Sequence, residues 1–253
     1  MRTLRLQKMK DYINEKGAVS FEELCRVFEI SINTARRDIA ILETDGSITK
    51  VYGGVKTNKT SGLVPYKDRY IKNLDQKLAI CKTAAEFVQD GDVIFLDAGT
   101  TIHYMLDYLQ EKHITVITTS LTVLMKAAKM NNIRLYTLSG TLNRESNSFE
   151  DIGASAILER YAISKAFMAA SGYSITDGIT HASPWEFEMK NALIRRSNTD
   201  TFLLVDNTKI GSAAIMKYAE ADDIRHLVTC PPIDDRYVNF LKEKNIQLHL
   251  AIL

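Results

Sequence analysis

Between residues 74 and 138 the sequence alternates two kinds of apolar pattern, and this alternation restricts the fold more than any other feature of the chain. Apolar residues at helical spacing run over 74–89, 102–109 and 121–130, and short apolar runs of strand length, 93–97, 114–119 and 133–138, lie between them. A strand, a crossover helix and the next strand, repeated, build an α/β domain around a mainly parallel sheet. Further strands are predicted at 166–170, 202–205, 226–229 and 246–250, with helices near 153–160 and 186–198. A domain of roughly 190 residues in this pattern can bury a full core.

Composition removes several classes of function. The chain has 253 residues, 45% hydrophobic and 25% charged, with 4 Pro, 12 Gly and no low-complexity tract, so it is expected to fold. Its longest apolar runs stop far short of the roughly 18 residues that a membrane span requires. The first ten residues carry Arg and Lys without an apolar core, so a cytoplasmic location is expected. Cys25, Cys81 and Cys230 are odd in number and far apart, which supports neither a disulfide framework nor a metal site. No cofactor and no metal are expected. Net charge is +1, but residues 1–60 carry 11 Lys and Arg against 8 Asp and Glu, leaving a mildly basic amino-terminal part and a slightly acidic remainder.

That amino-terminal part reads as three short helices and a hairpin. Leu6, Met9 and Ile13 share one face of a helix over 3–15 that Gly17 ends. Ser20 and Glu23 have the spacing of a capping box for a second helix, with Leu24, Val27 and Phe28 as its apolar stripe. Ser31 opens a third that buries Ile32, Ala35, Ile39 and Leu42 before Gly46. The short gap between the second and third helices is that of a helix-turn-helix. With the apolar residues turned inward, Asn33, Thr34, Arg36 and Arg37 face outward from the first two turns, where a recognition helix meets base edges and phosphates. Residues 48–51, a Tyr52-Gly53-Gly54 turn and 55–57 then form a basic wing, with Lys50 and Lys56 available to phosphates.

Taken alone, this periodicity also fits a helical protein-interaction module in which Arg36 and Arg37 pair with Asp38 and Glu43. A resemblance decides against it. Arg5, Met9 and Ile13, then Ser31, Thr34 to Ile39, Leu42-Glu43, Gly46 and Tyr52-Gly53-Gly54, resemble the winged helix-turn-helix of DeoR-family bacterial repressors. The resemblance implies binding to a double-stranded DNA operator through Ser31, Asn33, Thr34, Arg36, Arg37, Lys50 and Lys56.

The polar stretch 57–62 has no periodicity and reads as a hinge between a DNA-binding domain, 1–58, and an α/β domain, 63–253. Ligands of open α/β sheets bind beyond the carboxyl ends of strands. Asp97-Ala-Gly-Thr-Thr101 follows a strand and precedes a helix, so Gly99, Thr100 and Thr101 are expected to present amides and hydroxyls to a phosphate at the helix amino terminus. The plainer alternative makes Thr101 a simple N-cap. Other strand ends supply Thr119-Ser120, Ser139-Gly140 and Asp206 to Lys209, where Lys209 can neutralise a phosphate and Asp206, like Asp97, can accept a sugar hydroxyl.

The resemblance continues through this domain. Asp97 to Thr101, Gly140, Phe149 with Gly153, Lys165 to Phe167, Asp177-Gly178, Glu186 with Lys190, and Asp206-x-x-Lys209-x-Gly211 look in order like the effector domain of DeoR-family regulators. That domain is similar to ribose-5-phosphate isomerase and binds phosphorylated sugars, which implies an effector site drawn from Asp97, Gly99, Thr100, Thr101, Ser120, Gly140, Asp206 and Lys209. Ser139, Thr119 and Ser164 stand where the family commonly has Gly, Asn and Asp. The competing function is a sugar-phosphate isomerase, which needs a positioned acid after the strand 166–170; none occurs before Asp177, and the five histidines lie on separate segments without an orienting acid. The expected protein is a repressor, released by a phosphorylated sugar and acting as a homo-oligomer, dimer or tetramer, because one winged module makes few DNA contacts.

Overall fold

The computed structural model describes residues 2–16, 18–44, 48–51, 53–57, 66–151, 153–183 and 186–253. The chain divides into two compact units, Met1–Gly62 and Leu63–Leu253. Gly17 and Gly46, Tyr52 of the wing turn, the hinge over 58–62 and the side chain of Lys56 lie outside the described residues.

The first unit contains α1 (Arg2–Lys16), β1 (Ala18–Ser20), α2 (Phe21–Phe28), α3 (Ile32–Thr44), β2 (Ile48–Val51) and β3 (Gly54–Thr57). Ser20 caps α2 as expected, its hydroxyl accepting from the Glu23 amide at 3.1 Å. Among the described residues the reciprocal half of the box does not form: Glu23 accepts from the Tyr12 hydroxyl at 2.7 Å, tying α2 to α1. Met9, Ile13, Val19, Leu24, Ile39, Leu42, Ile48 and Val55 form the core. Ile32 is a correction, because it is 39% exposed at the start of α3 and not part of that core. The short β1 was not foreseen. It pairs with β3, which also pairs with β2, so the wing is part of a three-stranded antiparallel sheet.

The second unit is organised by a seven-stranded parallel sheet. Its strands are β4 (Val93–Leu96), β5 (Ile114–Thr118), β6 (Ile133–Thr137), β9 (Lys165–Met168), β12 (Asp200–Leu204), β14 (His226–Thr229) and β15 (Gln247–Leu250), in the spatial order β15-β14-β12-β9-β4-β5-β6. Period-two alternation divides their side chains between two cores. Ile94 and Leu96 of β4 and Phe202 and Leu204 of β12 pack on one face with Ile80, Met105 and Val123. Phe95 and Leu203 pack on the other with Leu193, Tyr237 and Leu241.

The crossover elements are α5 (Leu74–Ala85), a 3-10 helix (Ile102–Tyr108), α6 (Leu121–Ala127), α7 (Ala154–Leu158), α8 (Phe187–Ile194) and α9 (Asp235–Glu243). Sequence periodicity missed α9 and a six-residue helix, α4 (Tyr66–Ile71), and it missed two small antiparallel additions. These are the hairpin of β7 (Thr141–Asn143) and β8 (Ser148–Glu150), and the sheet of β10 (Gly172–Ser174), β11 (Gly178–His181) and β13 (Met216–Ala219). None of these five short strands contains a run of three apolar residues. Among the described residues no helix is long and apolar enough to cross a membrane.

Candidate functional site

From β4 the chain proceeds to β5 and β6 on one side, whereas β9 and its successors fill the other side, so the topology reverses between β4 and β9. A crevice is expected beyond the carboxyl ends of strands at such a reversal. A small cleft, partly open to solvent, lies there. Its walls come from Ala98 to Thr101 after β4, Ala169 to Ser171 after β9, Leu204 to Asp206 and Lys209 after β12, His181 at the end of β11, and Arg69, Lys72, Asn73 and Lys77 from α4 and α5.

The lining is strongly cationic. Arg69, Lys72, Lys77 and Lys209 face one carboxylate, that of Asp206. Asp206 is itself engaged, accepting from the Thr208 amide at 3.1 Å and from the Thr208 hydroxyl. Lys77 is 3% exposed and donates to the Thr100 hydroxyl at 3.0 Å and to the main-chain carbonyls of Arg69 and Tyr70. Burial brings its ammonium down to about 8 against the pull of Asp206, and the charges of Arg69 and Lys209 push in the same direction as burial. Lys209 is lowered for the same reasons, by burial first and also by Lys72 and Arg69. Several cations gathered in a partly dry cleft favour an anion there.

Behind the cleft wall lies a buried network that periodicity did not reveal. Asp97 is fully buried and accepts from the amides of Ala98 and Ala169, both at 2.8 Å, joining the loops after β4 and β9. It also pairs with Lys190 of α8, whose side chain is equally buried. Lys190 lies 3.3 Å from Glu186, and Glu186 lies 3.4 Å from His181 Nε2. Both Glu186 oxygens are buried without a hydrogen-bond partner among the described residues, so these approaches act as charge contacts. Burial opposes the Lys190 charge, but Asp97 and Glu186 outweigh it and hold the ammonium above its ordinary value. Burial, aided by Lys190, holds His181 down at about 3. His181 Nδ1 accepts from the Ser183 amide at 3.1 Å, which puts the proton of the neutral ring on Nε2, facing Glu186.

Five of the eight residues assigned to the effector site from sequence line this cleft: Gly99, Thr100, Thr101, Asp206 and Lys209. Three do not. Asp97 is buried behind the lining and is engaged by Lys190 and two amides. Ser120 caps α6, accepting from the Val123 amide at 3.3 Å. Gly140 has φ +151 and lies against the main chain of Glu150, where a Cβ would sit 2.5 Å from the carbonyl oxygen, so it serves the β7–β8 hairpin.

Two further expectations change. The element after Thr101 is a seven-residue 3-10 helix and Thr101 makes no side-chain cap bond, so neither a helix-terminus phosphate site nor a simple N-cap describes it. Gly99 is required by the protein itself, because a Cβ there would meet that of Ala169 at 2.9 Å. Arg69, Lys72 and Lys77 were missed, since α4 is too short to show periodicity and Lys77 lies inside an otherwise ordinary helix. The histidines are not all isolated either: His181 has Glu186 beside it, and His226 Nδ1 faces His249 Nε2 at 3.1 Å.

In the first unit, α3 presents Asn33, Arg36 and Arg37 to solvent while Ala35, Asp38, Ile39 and Leu42 are buried. Ser31 and Thr34 engage each other, the Ser31 hydroxyl lying 3.0 Å from that of Thr34 and accepting from the Thr34 amide at 3.3 Å. Asp38 accepts from Arg5 of α1 at 2.8 Å and Glu43 pairs with Lys50 at 2.8 Å. Both acids that a protein-interaction reading would place opposite Arg36 and Arg37 thus have other partners. Arg36 lies over the Phe21 ring at 5.8 Å, which directs it along the surface of the unit. Lys50 enters any phosphate contact in competition with Glu43.

Comparison with known proteins agrees with both halves of this geometry. Residues 5–61 match the family model described as the DeoR-like helix-turn-helix domain, and residues 72–230 match the DeoR C terminal sensor domain. The HTH-type transcriptional regulator IolR of Bacillus subtilis (strain 168) is 38% identical over 252 residues, covering 99% of this chain and 100% of the relative. A lactose phosphotransferase system repressor of Staphylococcus aureus (strain NCTC 8325 / PS 47) is 26% identical over 228 residues, 88% of this chain and 90% of the relative. Among solved structures, ribose 5-phosphate isomerase A of Methanocaldococcus jannaschii aligns with a TM-score of 0.40 and 24% identity over 55% of each chain. Matched in both units by models of one family, and along almost its whole length by a protein named as a regulator, the chain belongs to the DeoR family of transcriptional regulators.

Proposed function

We propose that this protein binds a double-stranded DNA operator in the cytoplasm, represses genes of carbohydrate metabolism, and is released when a phosphorylated sugar or related metabolite occupies the cleft of the second unit. The observation that carries this reading is the excess of positive charge in the cleft, four cationic side chains against one engaged carboxylate. Lys77 supports the phosphate end: because the Thr100 hydroxyl accepts from it, the proton of that hydroxyl is directed elsewhere and can be donated to an oxyanion. Asp206 and Ser171 supply polar groups for the sugar end.

On the DNA side, Asn33, Arg36 and Arg37 of α3 read base edges, while Ser31, Thr34, Lys50 and Lys56 serve the phosphates. A homo-oligomer, dimer or tetramer, assembled through the second unit, joins several weak modules. Effector binding then needs to disturb only their simultaneous engagement, a coupling of about 1–3 kcal/mol.

A thermal-shift screen of pentose, hexose and amino-sugar phosphates beside the dephosphorylated sugars tests the ligand class, with operator binding measured for each hit. Stabilisation only by phosphate esters, accompanied by loss of operator affinity, is expected. Equal stabilisation by the free sugars would overturn the phosphate reading.

A further inference from the structure

The cleft wall on the α4 side differs physically from the others. α4 has only six residues, too few to persist alone, and only Tyr66 among them is buried. Tyr70 is 36% and Ile71 76% exposed. The helix is held instead by particular polar and ring contacts. The Tyr66 hydroxyl donates to Thr122 at 2.9 Å, the Tyr70 ring stacks on His103 at 5.1 Å, and Lys77 caps the carbonyls of Arg69 and Tyr70. Elements with so little buried apolar surface occupy the low end of local stability.

Charge works against this attachment. Arg69 of α4 and Lys72 just beyond it line the same cleft as Lys77 and Lys209; Arg69 depresses both lysines, and Lys72 depresses Lys209. Like charges at close range in a partly dry cleft repel. A dianion placed among them converts each repulsion into an attraction and lets the cations donate to an acceptor that is itself charged. In chain order α4 is also the first described element after 58–65, the stretch that follows the wing strand β3.

We propose that α4 is a clamp tightened by the effector: a phosphate bound jointly by Arg69, Lys72, Lys77 and Lys209 fixes α4 against α5, α6 and the 3-10 helix. This rests on the phosphate reading of the cleft and adds the element through which the bound state leaves it. The ligand's differential affinity for the fastened α4 is what shifts the population, as any ligand-driven change requires.

Hydrogen exchange read by mass spectrometry on the full chain tests it, with inorganic phosphate as the probe and sodium chloride at matched ionic strength as the control. Amides over 66–73 should exchange about tenfold more slowly in saturating phosphate, with little change at β5 and β6. In Arg69→Gln/Lys72→Gln the same amides should be at least as protected as in the wild type before phosphate is added, because the repulsion is gone, and phosphate should add no further protection. Arg69→Lys, which keeps the charge, should retain part of the phosphate response. Phosphate that protects 98–101 but leaves 66–73 unchanged would overturn the clamp while preserving the phosphate site. The double variant still responding at 66–73 would also overturn it. If neither 66–73 nor 98–101 responds to phosphate or to any sugar phosphate, the effector reading itself fails, and the clamp with it.

Discussion

Asp97 and Lys190, 93 residues apart in the chain, form an ion pair with neither side chain exposed, behind the residues that line the cleft. Asp97 also receives the amides of Ala98 and Ala169, so one carboxylate joins the loops after β4 and β9 at the point where the sheet reverses direction. It shapes the cleft without belonging to its lining.

Asp97→Asn should therefore act on folding before it acts on ligand binding. Breaking a buried pair costs up to about 3–5 kcal/mol, and the loss here falls toward the lower end because Glu186, 3.3 Å from Lys190, still faces the remaining charge. Denaturant unfolding followed by circular dichroism should show a loss of this size. An unchanged midpoint, with ligand affinity alone reduced, would return Asp97 to the role of hydroxyl acceptor.

On the DNA side, replacing Arg36 or Arg37 by Ala should weaken operator binding by about 1–3 kcal/mol with an unaltered helical signal. Lys50 behaves differently because Glu43 competes for it. Lys50→Ala should weaken binding to all sequences and make the salt dependence shallower, whereas Glu43→Gln should strengthen non-specific binding. Fluorescence anisotropy across a salt series checks all four variants. Full affinity with both arginines removed would withdraw the assignment of α3 as the recognition helix.

Thr101→Val and Lys209→Ala should abolish the effector response and leave DNA affinity without effector intact, since both residues belong to the second unit. Thr101 makes no cap bond, so its melting temperature should stay near that of the wild type. A loss of about 1 kcal/mol, the cost of removing a cap, together with unchanged ligand affinity by calorimetric titration, would restore the N-cap description.

His103 and His181 are buried and held at about 4 and about 3 by burial, so both are neutral in the folded chain at neutral pH. The unfolded chain takes up these protons below about pH 6.5, where the native state does not. Their contribution to stability is thus complete above that value and falls by about 1.4 kcal/mol per histidine per pH unit as pH drops, until each folded-state value is reached. The midpoint of urea unfolding should decline between pH 6.5 and pH 4, and a combined His103→Asn/His181→Asn change should flatten the slope. A wild-type slope retained by that variant would assign the effect to other groups.

The sequence by itself determined the architecture and the chemistry available to it. Apolar runs located each strand of the parallel sheet to within one or two residues, most directly the central strands β4, β5 and β9, whose side chains are almost all buried. Local hydrogen bonds then set helix starts such as those at Ser20 and Ser31. Residues lying next to one another at strand ends, Gly99 to Thr101 and Asp206 to Lys209, could be assigned to the cleft because strand ends converge wherever a parallel sheet forms. Tertiary structure alone decided which partners these residues met. It took Asp97 out of the cleft and gave it to Lys190, made Ser120 a cap and Gly140 a hairpin residue, and brought Arg69, Lys72 and Lys77 into the cleft from helices that carry no local mark of it. Burial and charge at a site depend on distances across the fold, and neither apolar period nor capping chemistry encodes those distances.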